Sequence, residues 1–213
     1  NPGMRGVSVA LTDGTHYCEC PACTAACGGD PREIMDLYLD FLTRVFNRVD
    51  KNFPGREFQY GTYVYANLMR PPTREAPKQL APYIAPLGYD PFHTFLDPDL
   101  YKTLSVYQDF PQGTRDLIEN RPGNYLLAQV RAAIEGWGKG SSNLYLRDYD
   151  PYLTYGQNIP VFRTYQLAIE IPWLKRTGVR GFTPEACADS WFSSGLNFWV
   201  RSRLYWDVKL DIK

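Results

Sequence analysis

The sequence has no excess of charge of either sign and no long apolar run. Lys and Arg together number 23, and Asp and Glu together also number 23. This balance argues against the basic face with which proteins bind nucleic acid and against an acidic, solvated tail. No apolar run approaches the roughly 20 residues needed to cross a bilayer. We therefore expect neither a nucleic-acid partner nor a membrane span.

Histidine and the common nucleotide-binding motifs are also scarce. The chain has only His16 and His93, which argues against a histidine-rich metal centre and a Ser-His-Asp triad. It contains no G-x-S-x-G, G-x-G-x-x-G or G-x-x-x-x-G-K-[ST] motif, so a dinucleotide or nucleoside-triphosphate site is not predicted either. We expect no cofactor. The chain begins with Asn1-Pro2-Gly3 and not with Met, which we interpret as a mature product or a fragment.

Aromatic residues, by contrast, are abundant, with 16 Tyr and 5 Trp in an aromatic content of 15%. One interpretation is a large core with ordinary surface tyrosines. The other is an aromatic-lined cleft, because flat amphipathic rings pack well on sugars. The candidates for sugar stacking, each of which taken alone is more often a core residue, are Tyr63, Tyr65, Trp137, Tyr149 and Trp191. The polar candidates for contact with a substrate are Asn67 and His93.

Short apolar runs alternate with amphipathic segments, which predicts strands alternating with helices. The predicted strands are Gly6–Thr12, Glu57–Ala66, a segment near Pro82–Gly88, Asn143–Asp150 and Gly178–Ala186. The predicted helices are 32–55, Asn124–Gly136, Val161–Thr177 and Leu196–Trp206. The first helix follows Asp30-Pro31, an N-cap and a proline at the first helical position, and it carries the i, i+3, i+4 stripe of one buried face.

The long connections between the predicted strands indicate parallel strands joined by crossover helices, and hence an α/β fold in one domain over 1–213. Polar residues follow these strands, as at the active face of a (β/α)₈ barrel: Asp13, Asn67, Asp90, Asp148 and Glu185. A barrel needs three strands more than the five predicted here. Either a preceding chain segment or a partner subunit supplies the first strands, or the sheet is open.

Four local patterns, in this order along the chain, carry a resemblance to a known family. The first is a strand ending at Asp13-Gly14 and followed by the C-x-C-P-x-C run from Cys18 to Cys23. The second is "KNFPGREFQYGTYVY" (Lys51 to Tyr65), followed shortly by "RPP" at Arg70. The third is Trp137 shortly before "LYLRDYD", and the fourth is "WLKRTGVRGFTPEA" (Trp173 to Ala186) before a helix that leads to "RLYWD". The chain resembles the C-terminal half or more of a bacterial family of glycosidase-like barrels, domain of unknown function 4838.

The resemblance implies a (β/α)₈ barrel related to hexosaminidases and α-glucuronidases, with carbohydrate as the partner. It also implies a secreted, periplasmic or cell-surface location. The stretch from Tyr89 to Asn120 is longer and more irregular than the family pattern, and the first strands are missing.

Glycoside hydrolysis needs two carboxyl groups across the scissile bond, one of them protonated. We expect Glu185 to be the general acid, since apolar neighbours after the last strand would favour its protonated form. Asp148 or Asp13 would be the base, nucleophile or stabiliser. The predicted function is a glycoside hydrolase acting on complex or uronic-acid-bearing glycans. The alternative is a glycan-binding or structural component that keeps the fold without the reaction.

The remaining motif is a cysteine cluster, Cys18, Cys20, Cys23 and Cys27. Disulfide pairing, a zinc site and free thiols all stay open, and the exported location that the resemblance implies favours disulfides. Cys187, two residues after Glu185, is a further candidate for pairing with one of the four. Whether it forms disulfides or binds zinc, the cluster would rigidify a loop at the active face and would not perform the chemistry.

Overall fold

The computed structural model describes residues 5–11, 18–29, 34–86, 93–97, 123–149, 160–185 and 191–212. Asp13, His16, Asp90 and Cys187 lie outside the described residues. The strands are β1 (Gly6–Ser8), β2 (Gln59–Val64), β3 (Leu80–Ile84), β4 (Leu144–Leu146) and β5 (Val179–Phe182). The helices are α1 (Pro21–Ala26), α2 (Ile34–Asn52), α3 (Gly123–Gly140), α4 (Thr164–Arg176) and α5 (Trp191–Trp206), and a 3₁₀ turn spans Ala66–Met69.

The five strands form one parallel sheet whose spatial order, β1-β2-β3-β4-β5, is the order in the sequence. This confirms the predicted α/β class with helices between the strands. A doubly wound sheet reverses its order at a switch point, and no such reversal occurs among the described strands. In the described part of the chain β1 pairs only with β2, and β5 only with β4.

One face of the sheet is covered by helices. Alternate residues of the strands, such as Tyr60, Val64 and Leu146, pack in one apolar cluster with α2, α3 and Leu174 of α4. The stripe of α2 predicted from its periodicity is buried there, at Met35, Tyr38, Leu39, Leu42 and Phe46. Because a strand has a side-chain period of two, the intervening residues point to the other face.

The opposite face of the sheet is accessible. Gly6, Ser8, Gln59 and Tyr63 are exposed, and Tyr83 and Tyr145 are half-buried. We call this the open face. It is the face on which side chains of β2, β3 and β4 meet without a covering helix among the described residues.

A second, smaller core joins α4 and α5, where Leu167 and Ile171 pack against Val200 and Leu204. Phe182 of β5 stacks on Tyr205 with ring centroids 3.9 Å apart and so connects this core to the sheet. No helix in the described ranges combines the length and the apolar character that a membrane crossing requires.

The predicted elements all occur, with shifted ends. β3 begins at Leu80, two residues before the predicted segment, and ends at Ile84. α5 begins at Trp191, five residues before the predicted start. The short helix α1, which follows Cys20, was not predicted.

Candidate functional site

A row of three tyrosines crosses the open face. Tyr63 of β2 is in register with Tyr83 of β3, and Tyr83 with Tyr145 of β4. The ring centroids are 6.3 Å apart for Tyr63 and Tyr83, edge to face, and 4.9 Å apart for Tyr83 and Tyr145, stacked. The next partner in register is Gly181, where an added Cβ would lie 3.0 Å from the ring of Tyr145. Because Gly181 has no Cβ, the ring of Tyr145 can occupy this space. We call Tyr63, Tyr83 and Tyr145 the tyrosine row.

An ion pair stands beside the tyrosine row, at the carboxyl ends of the strands. Arg147, directly after β4, binds the carboxylate of Glu185, which follows β5. The backbone holds the two segments together, since Tyr149 and Glu185 form a parallel bridge and the N–H of Glu185 donates to the carbonyl of Asp148 at 2.8 Å. The guanidinium lies 5.0 Å from the ring centroid of Tyr63 and 5.8 Å from that of Tyr149, within cation–π range.

These contacts shift two pKa values. Burial disfavours the charged form of Arg147, but hydrogen bonds with Tyr149 and Glu185 outweigh it, and the pKa of Arg147 is raised. Burial raises the pKa of Tyr149, although Arg147 opposes the shift. The charged guanidinium of Arg147 therefore lies between the rings of Tyr63 and Tyr149 and against the carboxylate of Glu185.

A cavity of about 390 Å³ opens on the same face. Its lining includes Ser8, Gln59, Gly61, Tyr63 and Tyr83. This volume lies in the range of small-molecule sites, and its walls combine aromatic surface with a few polar groups, as such sites do.

Glu185 does not have the apolar surroundings expected for a general acid. Its side chain is 38% exposed and is paired with Arg147. The alternation of the strand explains the geometry, because Thr183 and Glu185 continue the open-face positions of β5.

Asp148 does not lie on the open face, which corrects its prediction as a catalytic residue beside Glu185. It is buried, and its carboxylate lies 2.8 Å from Nη2 of Arg201 and 3.9 Å from Nη1 of Arg163. Leu144 and Leu146 face the helices, and Asp148 continues that side of the strand. Its partners come from α5 and from the residue before α4.

Arg163 also pairs with Glu170 at 3.0 Å, so two acids and two arginines form a buried charge cluster: Asp148, Glu170, Arg163 and Arg201. Burial raises the pKa of Glu170 to about 7, although Arg163 and the backbone N–H of Phe95 oppose the shift. Asn197 anchors the chain beside the cluster by accepting from the N–H of Arg163 at 2.9 Å and donating to Val161 at 2.7 Å. The cluster joins β4 to α4 and α5.

The predicted sugar contacts divide into two groups. Tyr63 and Tyr149 border the Arg147–Glu185 pair. Tyr65 is half-buried at the start of the 3₁₀ turn, and His93 is exposed in the segment 93–97. The side chain of Asn67 lies outside the described residues.

The two tryptophans are not part of the tyrosine row. Trp137 is 0% exposed and belongs to the main core, so its prediction as a sugar-stacking residue is wrong: α3 turns it toward the sheet. Trp191 is 66% exposed at the start of α5, where its ring lies against Gly195 and stacks on Phe198.

No disulfide joins Cys18, Cys20 or Cys23 to another described cysteine. The Sγ atoms of Cys18, Cys20 and Cys23 lie within 4.8 Å of one another, and Cys27 is buried one helical turn beyond Cys23. A backbone hydrogen bond from Cys23 and a side-chain hydrogen bond with Cys18 lower the pKa of Cys20 to about 7.

Sequence analysis missed Arg147, Tyr83 and Tyr145. A usable signal is present in "LYLRDY", where Leu144 and Leu146 indicate the buried side of the strand. The alternate positions, Tyr145 and Arg147, then belong to the accessible side.

The fold and the site together define an α/β domain with a sequentially ordered parallel sheet and an aromatic, charged site at the carboxyl ends of its strands. The chain belongs to the family described as Domain of unknown function (DUF4838), which matches residues 1–213. No curated protein and no solved structure shows significant similarity to it.

Proposed function

We propose that this chain is a carbohydrate-active domain that binds glycan on the open face of its sheet. The observation that carries the proposal is the tyrosine row beside the Arg147–Glu185 pair. Parallel α/β sheets bind their ligands at the carboxyl ends of the strands, and this is the edge at which the pair lies.

The chemistry of the face suits a sugar ring that carries a carboxylate. The tyrosine rings offer flat apolar surface for the C–H groups of a pyranose and hydroxyls for its polar edge. A guanidinium has five N–H donors and binds carboxylates in a bidentate fashion. Arg147 therefore favours a uronic acid over a neutral sugar at this position.

Hydrolysis is the second candidate, and Glu185 is the observation that favours it. Of the three predicted carboxylates it is the one that lies on the open face among the described residues, while Asp148 is held by two arginines behind the sheet. A hydrolase would use Glu185 as the proton donor and would need a second carboxyl group across the bond.

The sequential strand order supports the further proposal that the sheet is part of a (β/α)₈ barrel, because such a barrel is wound in this order. In that fold the open face is the barrel interior, and the Arg147–Glu185 pair lies at its catalytic end.

Calorimetric titration with an oligogalacturonate and with a neutral cello-oligosaccharide tests the binding proposal. We expect the oligogalacturonate to bind. Arg147→Gln should weaken this binding by about tenfold or more, because a hydrogen bond to a charged group is lost. Tyr83→Ala should weaken the binding of whichever of the two oligosaccharides the chain binds. Tyr165→Ala is the matched control, since Tyr165 is exposed on α4 and not in the tyrosine row. Binding that is unchanged in both Arg147→Gln and Tyr83→Ala would contradict the proposal.

The reaction is tested by release of reducing ends from the bound glycan. If the domain is a hydrolase, Glu185→Gln should lower the rate by about 10²-fold or more while binding survives. Glu135→Gln, which removes a part-exposed carboxylate of α3 that pairs with Arg131, should leave the rate unchanged. Binding without any release of reducing ends by the wild-type chain would assign the domain to the non-catalytic class.

A further inference from the structure

Three thiols converge at the start of α1. The Sγ atoms of Cys18, Cys20 and Cys23 are all within 4.8 Å of one another. Cys18 and Cys20 are exposed and Cys23 is half-buried, so an ion from solution can reach them. None of these residues belongs to the open face or to the buried charge cluster.

The local backbone fixes this arrangement. Pro21 occupies the first position of α1, and the carbonyl of Cys20 accepts the N–H of Thr24 at 2.9 Å. The hydroxyl of Thr24 donates to the carbonyl of Glu19 at 3.3 Å, which ties the approaching segment to the helix. Gly28 and Gly29, with φ of 71° and 97°, end the turn in a conformation that favours glycine.

The spacing suits one tetrahedral ion better than a disulfide. Zinc binds thiolate sulfur at about 2.3 Å, which places sulfurs about 3.8 Å apart around a tetrahedron. A disulfide uses two sulfurs and gives no reason for a third to lie within 4.8 Å of both, whereas a metal ion uses all three. The sulfurs also lie on a short segment held by its own backbone hydrogen bonds, so little rearrangement is needed.

We propose that Cys18, Cys20 and Cys23 form a zinc site. Each thiol loses its proton on binding, so one Zn²⁺ is taken up, three protons are released and the sulfur oxidation state does not change. Water completes the fourth position. The site braces the segment that connects β1 to α2, and it is independent of glycan binding.

The test uses the full chain, purified under reducing conditions without chelator. We expect elemental analysis and native mass spectrometry to give one zinc ion per chain. Replacement by Co²⁺ should produce the intense thiolate-to-cobalt charge-transfer band and the visible bands of a tetrahedral ion. Cys20→Ser and Cys23→Ser should each weaken zinc binding by about 10²-fold.

Cys27→Ser is the matched control, because Cys27 is on the same helical segment but is not one of the three converging thiols. It should keep one zinc ion with unchanged affinity, and far-ultraviolet circular dichroism should show that all the variants are folded. The proposal is overturned if the chain binds no zinc at micromolar free metal, or if Cys27→Ser loses the ion. It is also overturned if a second preparation, purified without reductant, has a mass lower by two hydrogens and the disulfide is assigned to two of the three cysteines.

Discussion

Arg147 and Asp148 are adjacent in the sequence, yet their side chains make ion pairs on opposite sides of the sheet. Arg147 binds Glu185 beside the tyrosine row, and Asp148 binds Arg201 and Arg163 beneath the helices. The period of two along a strand separates the two charges, so one residue belongs to the candidate binding site and the next to the structural framework.

Changing Asp148 to Asn should destabilise the fold strongly. It leaves Arg163 and Arg201 buried with one partner carboxylate fewer, and removing one member of a buried ion pair costs about 3–5 kcal/mol. Glu185→Gln makes the same chemical change at a part-exposed pair and should cost under about 1 kcal/mol. Urea unfolding of the two variants gives the comparison. Equal losses of unfolding free energy in Asp148→Asn and Glu185→Gln would mean that the carboxylate of Asp148 is not paired with the two buried arginines.

The free energy of unfolding should fall as pH rises from about 4.5 to about 7. Burial raises the pKa of Glu170 from its ordinary value of 4.5 to about 7 in the folded chain. In this window the folded state binds the proton more tightly than the unfolded state, so stability is largest below the window and is lost as Glu170 ionises. Glu170→Gln should flatten this part of the profile. Denaturant midpoints measured at intervals of pH give this profile. If stability falls with pH as steeply in Glu170→Gln as in the wild type, the assignment to Glu170 is disproved.

Trp137→Ala should cost about 3–5 kcal/mol, because it empties a fully buried ring position at the centre of the main core. The same substitution at exposed Trp191 should cost far less. Thermal or chemical unfolding of the two variants measures this difference in stability. If Trp137 were a sugar contact and not a core residue, its loss would instead weaken glycan binding with little change in stability.

Gly138→Ala should destabilise the fold by about 1–3 kcal/mol, even though alanine is the better helix former. A Cβ at this position would overlap the backbone carbonyl oxygen of Thr177, which cannot rotate away. Gly140 is the control on the same helix, since the nearest atom to an added Cβ there is a ring carbon of Pro72 at an ordinary 3.5 Å. Gly140→Ala should therefore be close to neutral in the same unfolding assay.

The sequence predicted the main elements of the fold because their signals are local. The stripe of α2 and the apolar runs of β2, β4 and β5 each indicate their own structure without reference to the rest of the chain. The start of β3 was misplaced because Pro82 usually marks the edge of a strand, whereas here it lies inside one that is paired on both sides. Helix α1 was missed because six residues are too few to show a periodic stripe.

The candidate site was only partly predictable. Glu185 was predicted from the rule that functional groups gather at the carboxyl ends of parallel strands, and Tyr63 and Tyr149 were predicted as aromatic residues that can stack on sugars. The burial of Asp148 depends on Arg163 and Arg201, which are far from it in sequence and carry no local signal that they turn inward. Trp137 was misassigned for the same reason, because its neighbours in the core come from other elements of the chain.

The order of the strands also has a consequence for how the chain forms on the ribosome. Each of β2 to β5 pairs with the strand that precedes it along the chain, so every newly synthesised strand meets an edge that already exists. Among the described strands, none has to be inserted between two strands that were made before it. Pairing with the preceding strand keeps each loop that must close shorter than pairing with a more distant strand would. The sheet can therefore grow by stepwise addition from its amino-terminal side as the polypeptide emerges.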